Sequence, residues 1–239
     1  MLNSSKRHWQ TLIDEGVACL DRYQREFQDT QLLSVIEAAK SEFATQVIGN
    51  NQRGHRYGFG GLHLEASCRL YGLVRHMQPM SLLETGVCNG VSSAAILAAL
   101  ERNKSGTLYS IDYPEHADTQ YTEDAFWEGK RGAAVPKHKQ PGWLIPENLK
   151  TRWALIIGRS QEQLLPLLER IGEIDFFLHD SEHSYECMTF EYEIAWKHLR
   201  QGGLLVSDDI GWNTAFEDFA NQRARPVQLL TRNMAFIAK

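Results

Sequence analysis

The stretch that decides the fold is residues 83–93, LETGVCNGVSS, in which a short apolar run passes through two glycines into an alanine-rich segment. We interpret it as the end of a β-strand at 81–85, a loop, and the start of a helix at 92–102. Gly86 and Gly90 let the loop backbone approach a ligand closely because glycine has no Cβ, and the helix N-terminus offers unpaired N–H groups. The alternative interpretation of two glycines is a tight turn that binds nothing.

The spacing of these glycines differs from that of two common nucleotide-binding motifs. A dinucleotide fingerprint requires G-x-G-x-x-G, and a P-loop requires G-x-x-x-x-G-K-[ST]. The loop here has G-x-x-x-G. A nicotinamide-dependent dehydrogenase is therefore disfavoured.

Short apolar runs alternate with helical segments along the rest of the chain. The further predicted strands are 107–111, 153–157, 174–178 and 203–207, the predicted helices include 161–171 and 185–200, and 227–230 with 234–237 is a predicted hairpin. This alternation indicates βαβ units with right-handed crossovers. We therefore expect an α/β fold with a doubly wound, mostly parallel seven-stranded sheet, an antiparallel C-terminal hairpin and N-terminal helices.

Composition narrows the class of protein. Of the 239 residues, 43% are hydrophobic, and the formal net charge is −5. A real core is therefore available, and without a block of Lys or Arg neither nucleic acid nor a membrane surface is an expected partner. No stretch of the sequence approaches the 18 consecutive apolar residues of a transmembrane helix, so none is expected. Four scattered cysteines and an N-terminus without an apolar signal segment predict a cytoplasmic protein.

Acidic side chains follow several of the predicted strands, and ligands of such sheets bind at the carboxyl ends of the strands. Asp112 follows the second strand, where a carboxylate can accept hydrogen bonds from ribose hydroxyls. Asp180 follows the fourth strand, and Asp208 and Asp209 follow the fifth. Three adjacent carboxylates repel one another unless a cation lies among them. Oxygen ligands suit Mg²⁺, Ca²⁺ or Mn²⁺, so we predict a metal site, the alternative for each single Asp being a helix cap.

Together these residues resemble the class I S-adenosylmethionine (SAM) methyltransferases, whose fold is Rossmann-like. Residues 84–90 (E-x-G-x-x-x-G) resemble their first motif, and Asp112 matches their ribose-binding acid. Residues 158–161 (GRSQ) and 179–186 (HDSEHSYE) resemble the metal-dependent small-molecule O-methyltransferases related to catechol O-methyltransferase and macrocin O-methyltransferase. The resemblance runs from about Tyr57 to the C-terminus.

The resemblance implies a SAM cofactor and a divalent cation, for which Mg²⁺ is our prediction. It assigns cofactor contacts to Glu84, Gly86, Asn89, Gly90, Ser92, Asp112, Tyr113, Ser160, Gln161 and Asp180. It assigns the metal ligands as Asp180, Asp208 and Asp209. It also implies a SAM-binding methyltransferase domain at 61–239, with a lid or substrate insertion at about 113–149, preceded by an N-terminal helical arm and loop at 1–60. The amphipathic arm suggests a homo-oligomer.

A catalytic base follows the first predicted metal ligand. The catechol group has a lysine three residues after that ligand, whereas this sequence has His183. An imidazole suits proton transfer near neutral pH, and Glu182 is the alternative base. The resemblance implies a small hydroxylated acceptor, either phenolic or sugar-containing.

Two other functions remain open at this point. One is a different metal-dependent enzyme on the same scaffold, hydroxylase-like or hydrolase-like. The other is a non-catalytic SAM-binding or oligomerisation protein. The presence of Glu84, Gly86, Gly90 and Asp112 argues against the second, because a degenerate relative would be expected to lose some of them.

Overall fold

A seven-stranded sheet organises the part of the chain that this computed structural model describes, which is residues 12, 16–47, 58–116 and 133–239. The strands are β1 (Ser81–Thr85), β2 (Thr107–Asp112), β3 (Trp153–Ile157), β4 (Ile174–His179), β5 (Leu199–Ser207), β6 (Gln228–Leu229) and β7 (Ala235–Ala238). Their order is β3-β2-β1-β4-β5-β7-β6. The first five strands are parallel, and β7 runs antiparallel to both β5 and β6. The predicted fold class is confirmed.

Helices cover both faces of the sheet. They are α1 (Gln24–Gln28), α2 (Leu32–Val47), α3 (Leu64–Met77), α4 (Val91–Asn103), α5 (Ser160–Ile171), α6 (Tyr185–His198) and α7 (Ala215–Gln222), with 3-10 helices at Val17–Tyr23 and Glu147–Arg152. Successive strand residues point to opposite faces. Leu82 and Phe176 accordingly pack in the layer of α3 and α4, whereas Leu83 and Phe177 pack in the layer of α5, α6 and α7.

The largest difference from the predicted strand boundaries lies between α6 and β5, where β5 begins four residues before the predicted start at 203. We expected a helix over 185–200, but α6 ends at His198 and β5 begins at Leu199. Leu199 is buried and pairs with Ile174 of β4 in the sheet. Burial of this leucine in the sheet therefore overrides the helical periodicity, which continues past His198.

The N-terminal helices pack on α3 and α4 of the same chain. Leu20, Phe27 and Ile36 are buried in the core that α3 shares with the sheet, and the rings of Phe27 and Tyr71 lie 5.3 Å apart. The Glu26 carboxylate accepts hydrogen bonds from the Tyr71 hydroxyl, at 2.5 Å, and from the Arg75 guanidinium on α3. The apolar face of the described part of the arm is therefore used within the chain.

Several expectations stay predictions at this level. They are the division of the chain at residue 60, the homo-oligomer and the cytoplasmic location. Within the predicted insertion at 113–149, residues 117–132 lie outside the described residues. No helix among the residues that the structure describes is long and apolar enough to cross a membrane.

The Glu26 contact predicts an acid-sensitive contribution to stability. Hydrogen bonds from Arg75 hold the pKa of Glu26 below its ordinary value. The contribution of the ionised carboxylate is therefore complete above the ordinary pKa and is lost as the pH falls through the folded-state pKa. We expect Glu26→Gln to lower the free energy of unfolding by about 1 kcal/mol at pH 7, and by less at pH 3, in urea titrations.

Glu37→Gln is the matched control, because Glu37 pairs with Lys40 on the exposed side of α2. We expect little change in its unfolding free energy at either pH. A Glu26→Gln variant as stable as the wild type at pH 7 would contradict the assigned role of this contact.

Candidate active site

The carboxyl ends of β1, β2 and β4 lie side by side. Strand register pairs Thr85 with Ile111 on one side and with His179 on the other. The Gly86 N–H donates to the Ile111 carbonyl at 2.9 Å, and the Asp180 N–H donates to the Thr85 carbonyl at 2.9 Å. The glycine loop after β1 and the turn that carries Asp180 therefore meet at one edge, as the sequence predicted for this kind of sheet.

Both glycines of the loop are required by contacts within the chain. Gly86 has φ +86°, and a Cβ there would overlap the backbone carbonyl of Asp180. Gly90 has φ +98°, and its Cβ would lie 2.7 Å from Cα of Gly142. Close backbone packing thus accounts for both glycines, and their contact with a cofactor stays a prediction.

Asp112 joins β2 to the glycine loop and keeps one oxygen free. Its Oδ1 accepts hydrogen bonds from the Val87 N–H at 3.0 Å and from the Cys88 N–H at 3.4 Å. Its Oδ2 is buried and has no hydrogen-bond partner among the described residues. Burial raises the pKa of Asp112, while the two backbone hydrogen bonds lower it. An unpaired buried acceptor is unfavourable, and a ligand hydroxyl would satisfy it.

Glu84 lies beneath the loop, with both carboxylate oxygens bonded within the chain. It is fully buried and accepts hydrogen bonds from the hydroxyls of Ser92 at 2.5 Å, Ser93 at 2.6 Å and Ser110 at 2.9 Å. Burial raises the pKa of Glu84 to about 7, against the lowering effect of the three hydroxyls. The predicted cofactor residues Glu84 and Ser92 thus hold the junction of β1 and α4 together from below.

Asn89 connects the loop to two distant segments. Its side-chain amide donates to the Phe59 carbonyl and, at 3.0 Å, to the Ala134 carbonyl. Its side-chain oxygen accepts a hydrogen bond from the Trp143 indole. These contacts hold the segment before α3 and the later part of the predicted insertion against the loop, so the side chain of Asn89 is engaged by protein groups.

Three further predicted cofactor residues follow β2 and β3. Tyr113 is 60% exposed, and the Arg159 guanidinium lies over its ring at 5.2 Å. Ser160 begins α5, but Arg159 occupies the N-cap position, and the Ser160 hydroxyl lies 3.9 Å from the thiol of Cys187. Gln161 lies near the same thiol, at 3.4 Å. Tyr113 thus borders open space, whereas Ser160 and Gln161 pack against α6.

The three aspartates predicted as metal ligands lie close enough to influence one another. Burial raises the pKa of Asp180, and the neighbouring Asp208 carboxylate raises it further. Burial also raises the pKa of Asp208 to about 7, with an added contribution from Asp209. Among the described residues, however, no group of three or more His, Cys, Asp or Glu side chains is arranged to hold a metal ion.

His183 lies beside this acidic cluster. Its Nε2 is 3.4 Å from Oδ2 of Asp209, and its ring packs on Trp212, which is 53% exposed, at a centroid distance of 5.2 Å. Its Nδ1 is buried without a hydrogen-bond partner among the described residues. Burial and the nearby His179 lower the pKa of His183 to about 3. The imidazole is therefore neutral at pH 7, and a pKa this low makes it a weaker base than an ordinary histidine. Glu182 is half-buried at the adjacent position.

Sequence reasoning missed Glu191, a fully buried carboxylate on α6. His179, whose Nδ1 lies 2.6 Å from Oε2 of Glu191, is also fully buried beside the site. The sequence did contain one sign of its burial. Glu191 lies on the same helix face as Met188 and Tyr192, which are apolar core residues. A lone glutamate in an otherwise apolar helix face needs a partner in the core.

Comparison with known proteins identifies the class. A family model described as a methyltransferase domain matches residues 83–210. The chain belongs to this family, and with its strand order of 3-2-1-4-5-7-6 it is a class I SAM-dependent methyltransferase. No curated protein matches the chain significantly.

Solved structures of O-methyltransferases share the fold. NovP is 15% identical, with a TM-score of 0.60 over 92% of this chain and 99% of NovP. The O-methyltransferase of Bacillus cereus, solved with S-adenosylhomocysteine (SAH), is 14% identical, with a TM-score of 0.55 over 88% of this chain and 91% of that one. TomG of Streptomyces achromogenes, solved with SAM, is 16% identical, with a TM-score of 0.51 over 75% of this chain and 82% of TomG.

The free oxygen of Asp112 predicts a sharp effect of one substitution. Asp112→Asn retains a carbonyl oxygen for the Val87 N–H but replaces the second acceptor with an amide donor. We expect the dissociation constant for SAH to rise about tenfold or more, measured by isothermal titration calorimetry, because a ribose hydroxyl loses its acceptor.

Glu101→Gln is the control, because Glu101 pairs with Lys104 near the C-terminal end of α4, and it should bind SAH like the wild type. Equal affinity of the wild type and Asp112→Asn would remove Asp112 from the cofactor site.

Proposed function

We propose that this methyltransferase transfers the methyl group of SAM to a hydroxyl oxygen of a small molecule, assisted by a divalent cation. The observation that carries the proposal is His183, a neutral imidazole with an unpartnered buried Nδ1, beside an acidic cluster at the same sheet edge as Asp112. Methyl transfer to oxygen requires an acceptor that loses its proton. His183, although a weaker base than an ordinary histidine, is the imidazole that lies beside this cluster.

The cofactor fits the residues at the ends of β1, β2 and β3. Oδ2 of Asp112 would accept a hydrogen bond from a ribose hydroxyl, and the backbone of 86–90 would border the methionine portion. The ring of Tyr113 and the segment at 158–161 would lie on the adenine side. Bound there, SAM supplies an electrophilic methyl group, and the protein's contribution is to hold the acceptor in line with it.

We assign His183 as the base in preference to Glu182. The imidazole is held by its contacts with Trp212 and Asp209, and the Asn213 amide donates to the His183 carbonyl at 2.9 Å. Nε2 faces Oδ2 of Asp209 at 3.4 Å, and the buried Nδ1 has no partner among the described residues, so the acceptor hydroxyl would reach Nδ1 only after the groups that cover it move. Contacts of this kind orient the ring that receives the proton.

Asp180, Asp208 and Asp209 are the residues that would hold the cation, although among the described residues their side chains are not arranged as a metal site without an ion. Carboxylates that lie close together repel one another, as their raised pKa values indicate, and a bound cation would relieve this repulsion. A set of oxygen donors favours Mg²⁺ over softer metals. When bound, such an ion lowers the pKa of a coordinated hydroxyl.

The exposed face of Trp212 supports a ring-containing acceptor, phenolic or sugar-containing. A side chain with 53% exposure beside His183 offers a flat apolar surface for stacking. TomG is described as an O-methyltransferase involved in tomaymycin synthesis, which is consistent by analogy with a small acceptor. A vicinal diol would present two oxygens to a cation.

A panel of phenolic and sugar vicinal diols tests the reaction class. With Mg²⁺ present, we expect SAH release and a methylated product with at least one diol. The corresponding deoxy analogues are the controls and should give neither. A product methylated on carbon or nitrogen would contradict the proposal.

The metal assignment predicts separate effects on binding and turnover. Asp209 has φ +50°, a conformation that Asn tolerates, so Asp209→Asn is the suitable variant. We expect SAH affinity to be retained and turnover of the diol acceptor to fall about a hundredfold or more, because metal assistance is worth several kcal/mol.

Asp29→Asn, at the exposed C-terminal end of α1, is the control and should turn over like the wild type. Full activity of the wild-type enzyme in excess chelator would overturn the metal assignment and leave the hydroxyl acceptor unaffected.

A further inference from the structure

A buried carboxylate of α6 lies behind the edge where β1 and β4 end. Glu191 belongs to α6, and none of its surface is exposed. Its Oε2 accepts hydrogen bonds from the Thr85 hydroxyl at 2.5 Å and is 2.6 Å from Nδ1 of His179. Its Oε1 accepts a hydrogen bond from the Ser181 hydroxyl at 2.8 Å, and the Cys187 thiol lies 3.6 Å away.

The partners of Glu191 belong to the two segments that form the edge. Thr85 is the last residue of β1 and directly precedes Gly86 of the glycine loop. His179 and Ser181 flank Asp180 in the turn after β4. One side chain therefore bonds to both segments, which are far apart in sequence.

The charge of Glu191 is favoured by its surroundings. Burial would raise the pKa of this carboxyl, but the nearby His179 and the hydrogen bonds from His179 and the hydroxyls lower it below its ordinary value. An ionised acceptor makes stronger hydrogen bonds than a neutral one. The carboxylate is therefore suited to fixing the orientation of several donors.

Stability alone is a weak explanation for this arrangement. Buried ionic groups are often no more stabilising than well-packed apolar side chains of similar volume. The neighbouring core positions on α6, Met188 and Tyr192, are apolar. A charge that bonds to both sides of a ligand-binding edge is better explained by the geometry that it imposes.

We infer that Glu191 is a positioning residue that holds the Asp180 turn against the glycine loop and so pre-forms the SAM site. A pre-formed site binds its ligand more tightly because less conformational freedom is lost on binding. This inference concerns the cofactor site alone and does not depend on the acceptor or on a metal.

The test uses SAH as the probe and calorimetry as the readout, at a temperature well below the unfolding transition of each variant. Glu191→Gln retains the shape of the side chain and removes its charge. We expect its dissociation constant for SAH to rise about tenfold, which corresponds to about 1.4 kcal/mol. Glu193→Gln is the control on the same helix, because Glu193 pairs with Arg223 of α7 away from the edge, and it should bind SAH like the wild type.

Ser181→Ala tests the same positioning role if Glu191→Gln folds poorly, because Ser181 donates a hydrogen bond to Glu191. Ser181 is only half-buried, and its removal deletes one hydrogen bond while leaving the carboxylate in place. We expect weaker SAH binding for Ser181→Ala, and a double variant with Glu191→Gln whose loss is smaller than the sum of the two single losses. Wild-type SAH affinity in both single variants, with only the melting temperature lowered, would overturn the inference.

Discussion

The backbone of Gly86 packs directly against the carbonyl of Asp180, and the candidate active site depends on this contact. Any side chain at residue 86 would overlap that carbonyl. Because the two strand ends can approach this closely, Asp112 at the end of β2 and Asp180 just after β4 border the same edge of the sheet. The chemistry proposed for this protein needs both regions, one for the cofactor and one for the acceptor.

Two buried carboxylates hold this edge from opposite faces of the sheet. Glu84 points towards α4, where serine hydroxyls bond to both of its oxygens. The next residue, Thr85, points to the other face and donates to Glu191 of α6. Because successive side chains of a β-strand point to opposite faces, these two consecutive residues bond to two different helices. The end of β1 is held on both sides, which suits a loop that must bind a ligand without rearranging.

Much of the sheet and part of the site could be predicted from the sequence. The strands at 81–85 and 153–157 are apolar runs with clear polar or glycine boundaries, so local pattern was sufficient. The end of α6 was not predictable, because the pairing of Leu199 with β4 is a tertiary effect. The role of Glu191 was not predictable either, since its partner Thr85 lies on a distant strand; its place between Met188 and Tyr192 indicated burial but no partner. The packing of Gly90 against the segment around residue 142 left no local signal either.

A crystal structure of the protein with SAH tests the central claim, that the edge formed by β1, β2 and β4 is the cofactor site. We expect a ribose hydroxyl within hydrogen-bond distance of Oδ2 of Asp112, and the homocysteine portion beside Gly86 and Asp180. A complex in which SAH binds at another place, or in which its ribose makes no contact with Asp112, would contradict this assignment of the cofactor site.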